Sequence, residues 1–225
     1  MTMDRKIIKN STDISNVDIR PPNSPWIPLS SRSGNKAAFS FYYSDPFSIL
    51  PVREVSHKND PKADPNIETF THGLFSTCDR GMRATIVREG INLLFFCTNR
   101  KDGRVLTGYY RIGWYYELPH STLDDYMLAA EEGKFVSPGF PLQDLTGYLY
   151  GVRLDKRFRT FRYLDGETAG RLLRLLNDTP DATVQYISEI HRLEQLTSEK
   201  EGYVYQNKYT HFGWDVAHKP MKLES

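Results

Sequence analysis

Cysteine is scarce in this sequence, and long apolar runs and an excess of either charge are missing. Cys78 and Cys97 are the two cysteines among 225 residues, and their spacing fits neither a disulfide framework nor a paired-cysteine zinc motif. No apolar stretch approaches the roughly 20 residues that cross a bilayer, and the N-terminal segment lacks the apolar core of a secretory signal. We therefore expect a cytoplasmic protein with reduced cysteines and no membrane association.

The sequence also lacks the short motifs that mark common catalytic chemistries. It contains no GxSxG elbow, no GxxxxGK[ST] phosphate loop, no HExxH helix and no GxGxxG after a strand. His72, Cys78 and Cys97 could be imagined as zinc ligands, but their spacings match no standard zinc motif. Buried, apolar roles for both cysteines are favoured. We expect no cofactor and no metal site.

Charge is balanced over the whole chain but uneven along it. With 29 basic and 28 acidic residues, the formal net charge is +1, which predicts no general attraction to polyanions. Any nucleic-acid contact must therefore be local. Seven Lys or Arg residues lie in each of two short regions: Arg80, Arg83, Arg88, Arg100, Lys101, Arg104 and Arg111, then Arg153, Lys156, Arg157, Arg159, Arg162, Arg171 and Arg174.

An aromatic-rich pair of antiparallel strands, from Ile91 to Glu117, is the clearest structural pattern. The segment INLLFFCTN is apolar almost throughout, as in a strand covered on both faces, and RKDG supplies the residue types of a tight turn. Gly108 and Gly113 interrupt the return strand, and strand glycines often mark bulges. Without a bulge, the alternation places Tyr110, Ile112, Trp114 and Tyr116 on one face, opposite Tyr109, Arg111, Gly113 and Tyr115.

Further elements follow from capping residues and apolar spacing. Asp165 can cap a helix whose apolar stripe is Ala169, Leu172, Leu173 and Leu176. The other predicted elements are a strand from Ala37 to Tyr43, a basic connection from Cys78 to Gly90, a helix from Ser121 to Gly133, a hairpin of Tyr148 to Leu154 with Arg157 to Leu164, and a helix from Thr179 to about Ser198.

These patterns predict one folded domain between two extensions. Residues 1–36 are rich in proline and polar residues, a composition that resists regular structure and indicates a poorly structured arm laid over the domain or a mobile tail. Trp26 can anchor it. Residues 37–198 form the predicted domain. Residues 199–225 are polar with scattered aromatics and are predicted to be a C-terminal extension.

The order of features from Thr71 to Arg111 resembles the PUA-like superfamily, particularly its EVE, ASCH and YTH branches. The resemblance is carried by Gly73 in HGLF, the connection STCDRGMR, Gly90 before INLLFFCTN, the RKDG turn, and Gly108 in VLTGYYRIG. It covers about forty residues. Ile91 and His72 depart from the aspartate and tryptophan usual at the comparable positions of EVE-type sequences. The resemblance implies an α+β fold: a PUA-like antiparallel β-barrel flanked by helices.

The resemblance also implies a pocket that accepts a flipped or modified base of DNA or RNA, without catalysis. Asn99 or Asp79 could read a base edge, and Tyr110 and Trp114 are candidate stacking platforms. The candidate phosphate contacts are Arg83, Arg104 and Arg111. The full base-binding set is Ser76, Thr77, Cys78, Asp79, Arg80, Cys97, Thr98, Asn99, Tyr110 and Trp114.

Two alternatives to a nucleic-acid-binding module stay open. One is a nucleotide-processing enzyme, in which Cys78 or Asp79 carries the chemistry and the nearby arginines lower the pKa of the Cys78 thiol. The other is a protein-interaction subunit, in which the aromatic strand and the arm around Trp26 form the partner surface. For each aromatic residue, core packing is at least as well supported as ligand contact.

Overall fold

The fold is seen in a computed structural model, which describes residues 26–29, 36–43, 72–75, 80–100, 103–117, 126–149, 161–189 and 192. The strands are β1 (Ile27–Pro28), β2 (Lys36–Tyr43), β3 (Leu74–Phe75), β4 (Ile91–Arg100), β5 (Gly103–Glu117), β6 (Tyr126–Pro141) and β7 (Phe161–Leu164). The helices are α1 (Arg80–Glu89), α2 (Gly166–Asn177) and α3 (residues 183–189), and a 3₁₀ helix spans Leu142–Leu145. No helix among these residues is long and apolar enough to cross a membrane.

The seven strands form one mixed sheet in the order β3-β6-β5-β4-β2-β7, and β1 pairs with β5. The α+β class is confirmed, and so is the antiparallel β4–β5 pair. The expectation of an antiparallel barrel is corrected: β2 runs parallel to β4, and the described strands form an open sheet. A parallel pair needs a crossover, and the chain between β2 and β4 contains α1.

Helices cover both faces of this sheet. Along β4, Leu94 and Phe96 pack with α1 and α3, whereas Leu93, Phe95 and Cys97 pack with α2 and the 3₁₀ helix. This alternation follows from the two-residue period of a strand. It explains why the β4 sequence is apolar at almost every position: both of its faces are core.

Two predicted elements are wrong in their described parts. Residues 126–133 belong to β6, not to a helix beginning at Ser121. Their apolar spacing suits a helix, but Met127 to Ala130 are all buried because both faces of this strand are covered. The segment read as a basic connection contains α1, whose Met82 and Ile86 are one helical turn apart and both buried.

The later elements agree better with the sequence. The Asp165 carboxylate accepts a 2.8 Å hydrogen bond from Thr168 N, which confirms the predicted cap of α2. Asp181 similarly accepts from Thr183 N at the start of α3, which begins a few residues after the predicted Thr179–Pro180 start. Of the predicted hairpin, β7 is a strand, but its described partner is β2, and Tyr148 lies in a turn.

Candidate functional site

The ends of β2, β4 and β5 bring together residues from distant parts of the chain. Tyr43 pairs with Asn99 in the parallel β2–β4 ladder, and Asn99 pairs with Arg104 in the antiparallel β4–β5 ladder. These three residues therefore form one row across the sheet, which we call the strand-end row. Arg100, paired with Gly103, closes the hairpin next to it. Two of the three, Asn99 and Arg104, are predicted site residues; Tyr43 was not singled out.

The other predicted residues of β4 differ in their surroundings. Thr98 precedes Asn99 in the ladder and pairs with Val105. Cys97 is fully buried on the side of the sheet covered by α2. Burial raises the pKa of the Cys97 thiol, and the nearby Arg104 guanidinium only partly opposes this. Cys97 is therefore a neutral core thiol at physiological pH, and it is not a nucleophile.

Tyr110, a predicted stacking platform, lies in the core. None of its side chain is exposed, and its ring packs edge-on against Phe96 at a centroid distance of 4.9 Å. Its hydroxyl accepts a 3.0 Å hydrogen bond from Gly73 N and lies 3.2 Å from His72 Nδ1. A base could reach this ring only if the surrounding core opened.

Trp114, the second predicted platform, does not share a face with Tyr110. The register shifts between Ile112 and Trp114, so that Gly113 is an extra residue in β5 relative to β6. Beyond this bulge Trp114 packs with Trp26, while Tyr115 packs with the group that contains Tyr110. The alternation predicted for a strand without a bulge therefore does not apply past Gly113, because a bulge reverses the side to which the following residues point.

The three predicted phosphate contacts occupy different environments. Arg83 is buried on α1, Arg104 is partly exposed in the strand-end row, and Arg111 pairs with Glu132, with 3.0 Å between Arg111 Nε and Glu132 Oε2. They do not form one patch, since Arg83 and Arg104 lie on α1 and at the hairpin end. Arg104 is the one that the register brings beside another predicted site residue.

Four predicted base-binding residues, Ser76, Thr77, Cys78 and Asp79, lie outside the described residues, and Arg80 is the first residue of α1. The enzymatic alternative rests on Cys78 and Asp79, so it stays a prediction. Cys97, the cysteine among the described residues, is buried and free.

A polar cluster on β5 and β6 was not predicted. The Tyr109 hydroxyl and the Arg111 guanidinium both donate to the Glu132 carboxylate. Burial raises the pKa of Glu132, but these two hydrogen bonds and the Arg111 charge outweigh it, so the pKa lies below its ordinary value. Burial and the hydrogen bond to Glu132 raise the pKa of Tyr109. Glu132 is therefore an anion held between two donors.

The same cluster joins the sheet to the end of α2. The Tyr109 hydroxyl lies 3.1 Å from Asn177 Oδ1, and Lys134 Nζ donates to the carbonyl oxygens of Asn177 and Thr179 at 2.9 and 2.7 Å. A cation at a helix C-terminus is favoured by the helix dipole and satisfies carbonyls that lack helical partners. These contacts fix α2 on the sheet, which is a structural role.

No local sequence signal identifies this cluster, because Glu132 lies within the predicted helix and Lys134 directly follows its predicted end.

Among the residues that the structure describes, no three His, Cys, Asp or Glu side chains are grouped to hold a metal ion. Comparison with protein-family models, with curated proteins and with solved structures finds no match to this chain.

Proposed function

We propose that this protein is a nucleic-acid-binding module without catalysis, and that the strand-end row is its contact site. The observation that carries the proposal is the register that aligns Tyr43, Asn99 and Arg104 across three strands. The sequence separates Tyr43 from Asn99 by 56 residues (99 − 43), so their adjacency is a product of the fold.

The three residue types have complementary uses in binding a nucleotide. A guanidinium binds phosphate through its planar fork, a side-chain amide can both donate to and accept from a base edge, and a tyrosine ring can stack on a base. The backbones of the three residues lie side by side in the two ladders, which supports a single shared contact with one nucleotide. An exposed base in a single strand suits such a row best, since its faces and edges are free.

The local positive charge at the β4–β5 hairpin end also supports a nucleic-acid contact there. Arg100 and Arg104 lie at the hairpin end, and the two residues between their strands in the sequence are Lys101 and one acidic residue, Asp102. The whole chain has a net charge of only +1, so a polyanion is attracted to such local positive regions more than to the molecule as a whole.

Two further predictions from the sequence, recognition of a modified or flipped base and the PUA-like resemblance, are kept in this proposal with fewer supporting features. Within this proposal, recognition of a modified or flipped base uses Thr98 and Asn99 together with the connection from Ser76 to Arg80, since Cys97 and Tyr110 lie in the core. The PUA-like resemblance of Thr71 to Arg111 stays a hypothesis, and it no longer includes a closed barrel because the described strands form an open sheet.

The proposal is tested by fluorescence anisotropy with labelled single-stranded DNA and RNA oligonucleotides, at low and at higher salt. We expect saturable binding that weakens as salt increases, because phosphate contacts release counterions. Absence of binding to any oligonucleotide at low salt would refute the proposal.

Matched variants locate the site. Arg104→Ala should weaken binding and reduce the salt slope by about one unit, as expected for one lost phosphate contact. Arg174→Ala, which removes the same charge from an exposed position on α2, is the control and should leave binding unchanged. Equal losses in both variants would show that the contact is not local to the strand-end row.

A further inference from the structure

Residues 26–29 lie beside the part of β5 that does not pair with β4. The N-terminal part of β5 pairs with β4, but this ladder ends at Arg111, opposite Leu93. Beyond it, β1 takes the place of β4: Ile27 pairs with Tyr115, Pro28 pairs with Trp114, and Leu29 N donates to Gly113 O at 2.8 Å. A short extended segment thus lengthens the sheet by backbone pairing.

Trp26 anchors this segment in an apolar surface that we call the Trp26 groove, formed by Leu74, Trp114, Tyr116, Met127 and Ala129. Trp26 is only 8% exposed, and the centroids of the Trp26 and Tyr116 rings are 6.0 Å apart. Leu29 is buried at the other end of the segment, whereas Ile27 between them is 42% exposed. The segment therefore has two buried anchors and an exposed middle.

Backbone pairing with a strand plus side-chain anchors is a recognised mode of peptide binding. Every residue of the Trp26 groove belongs to β3, β5 or β6, none of which adjoins residues 26–29 in the chain. The linking residues 30–35 read SSRSGN and contain no large apolar side chain. A segment from another molecule could therefore make the same contacts, which is the low-cost exchange behind domain swapping.

We propose that the Trp26 groove is a peptide-docking site, filled by this chain's own residues 26–29 and able to accept the same segment from a second copy. This interaction surface does not depend on nucleic-acid binding. Its ligand is an extended segment with tryptophan at the first position and leucine at the fourth. Displacement of the segment also uncovers Trp114.

The test uses a fluorescent peptide of residues 20–32 and the full-length chain. In the wild type, the attached segment competes at a high effective concentration. A Trp26→Ala chain loses the anchor of this competitor, so it should bind the peptide about tenfold or more tightly than the wild type does. Circular dichroism checks that the variant is folded.

Matched changes in the middle of the segment provide the control. A peptide carrying Ile27→Ala should bind like the unchanged peptide because Ile27 is exposed, and a peptide carrying Trp26→Ala should not bind. Failure of the folded Trp26→Ala chain to bind the peptide would overturn the proposal. Unfolding of that chain would overturn it too, because the segment would then be part of the core and not an exchangeable ligand.

Discussion

At the scale of single residues, Glu132 shows how partners distant in sequence control a carboxylate. Tyr109 and Arg111 on the neighbouring strand both donate to it, and these bonds hold the Glu132 pKa below its ordinary value despite partial burial. A lowered pKa in the folded state means that the folded form binds fewer protons. The resulting stability is present above the unfolded-state pKa, about 4.3, and is lost as pH falls through the folded-state pKa.

Glu132→Gln should therefore reduce the loss of stability in acid. We expect the free energy of unfolding, measured with urea at pH 7 and pH 3, to fall more for the wild type than for the variant. The difference should be about 1 kcal/mol or less, since the Glu132 side chain is 47% exposed and solvent screens its charge. The control is Glu131→Gln, at the exposed neighbouring position on β6, which should lose as much unfolding free energy between pH 7 and pH 3 as the wild type does. If it loses as little as Glu132→Gln, Tyr109 and Arg111 have no specific effect on the acid stability.

Tyr110 gives a second prediction at this scale. Its hydroxyl accepts from the buried Gly73 N–H at 3.0 Å, so Tyr110→Phe removes an acceptor and leaves that donor unsatisfied. The free energy of unfolding should fall by about 1–3 kcal/mol, with an unchanged denaturant m-value. Tyr115→Phe, at a partly exposed position, should cost less. An equal cost for both would contradict the assigned bond.

Residue roles could be predicted from the sequence where they are local. Asp165 caps a helix through Thr168, three positions away, and this contact follows from a sequence rule. Glu132 contacts Tyr109, 23 positions away, and Tyr109 contacts Asn177, 68 positions away. Such pairs depend on strand register and helix placement, which a single sequence does not specify.

At the scale of elements, periodicity failed where both faces of a strand are buried. In β6, Met127 to Ala130 face two different cores, so the two-residue alternation of polar and apolar residues disappears. The short apolar run then suits a helix as well as a strand. In α1, Met82 and Ile86 form a buried apolar stripe, but Arg83 is buried as well. A charged residue at a buried position hides the amphipathic pattern in the sequence. Gly90, with φ 67°, follows the helix end.

Gly108 was predicted from the sequence to mark a bulge, and the register does shift beside it, between Leu106 and Gly108. A Cβ atom at Gly108 would collide with Lys134 O and would lie 2.7 Å from Phe135 Cδ1. Gly108→Ala should therefore destabilise the fold by roughly 1–3 kcal/mol or more in thermal or urea unfolding.

Gly147 provides the control for that substitution, because a Cβ atom there meets no atom within 4 Å. Gly147→Ala should change the free energy of unfolding by less than about 1 kcal/mol. Similar values for the two alanine variants would mean that β5 and β6 approach less closely at Gly108 than the structure shows.

At the scale of the whole molecule, the sequence predicted the α+β class and the central hairpin but not the way β2 joins the sheet. The parallel β2–β4 pairing links residues 56 positions apart (99 − 43), across a segment that gave no strong pattern. That pairing creates the strand-end row and places Tyr43 beside Asn99. The predicted site lacked Tyr43, the neighbour that only the topology supplies, and the binding role of its residues stays a prediction.

Nucleic acid is proposed to contact the strand-end row. The most direct test is an NMR titration of the full-length, isotopically labelled chain with a short single-stranded oligonucleotide at low salt. We expect saturable backbone amide shifts that are largest at residues 43, 99 and 104 and at the adjoining residues 100–103. Shifts confined to α2 and residues 183–189, or no saturable shifts at all, would contradict it.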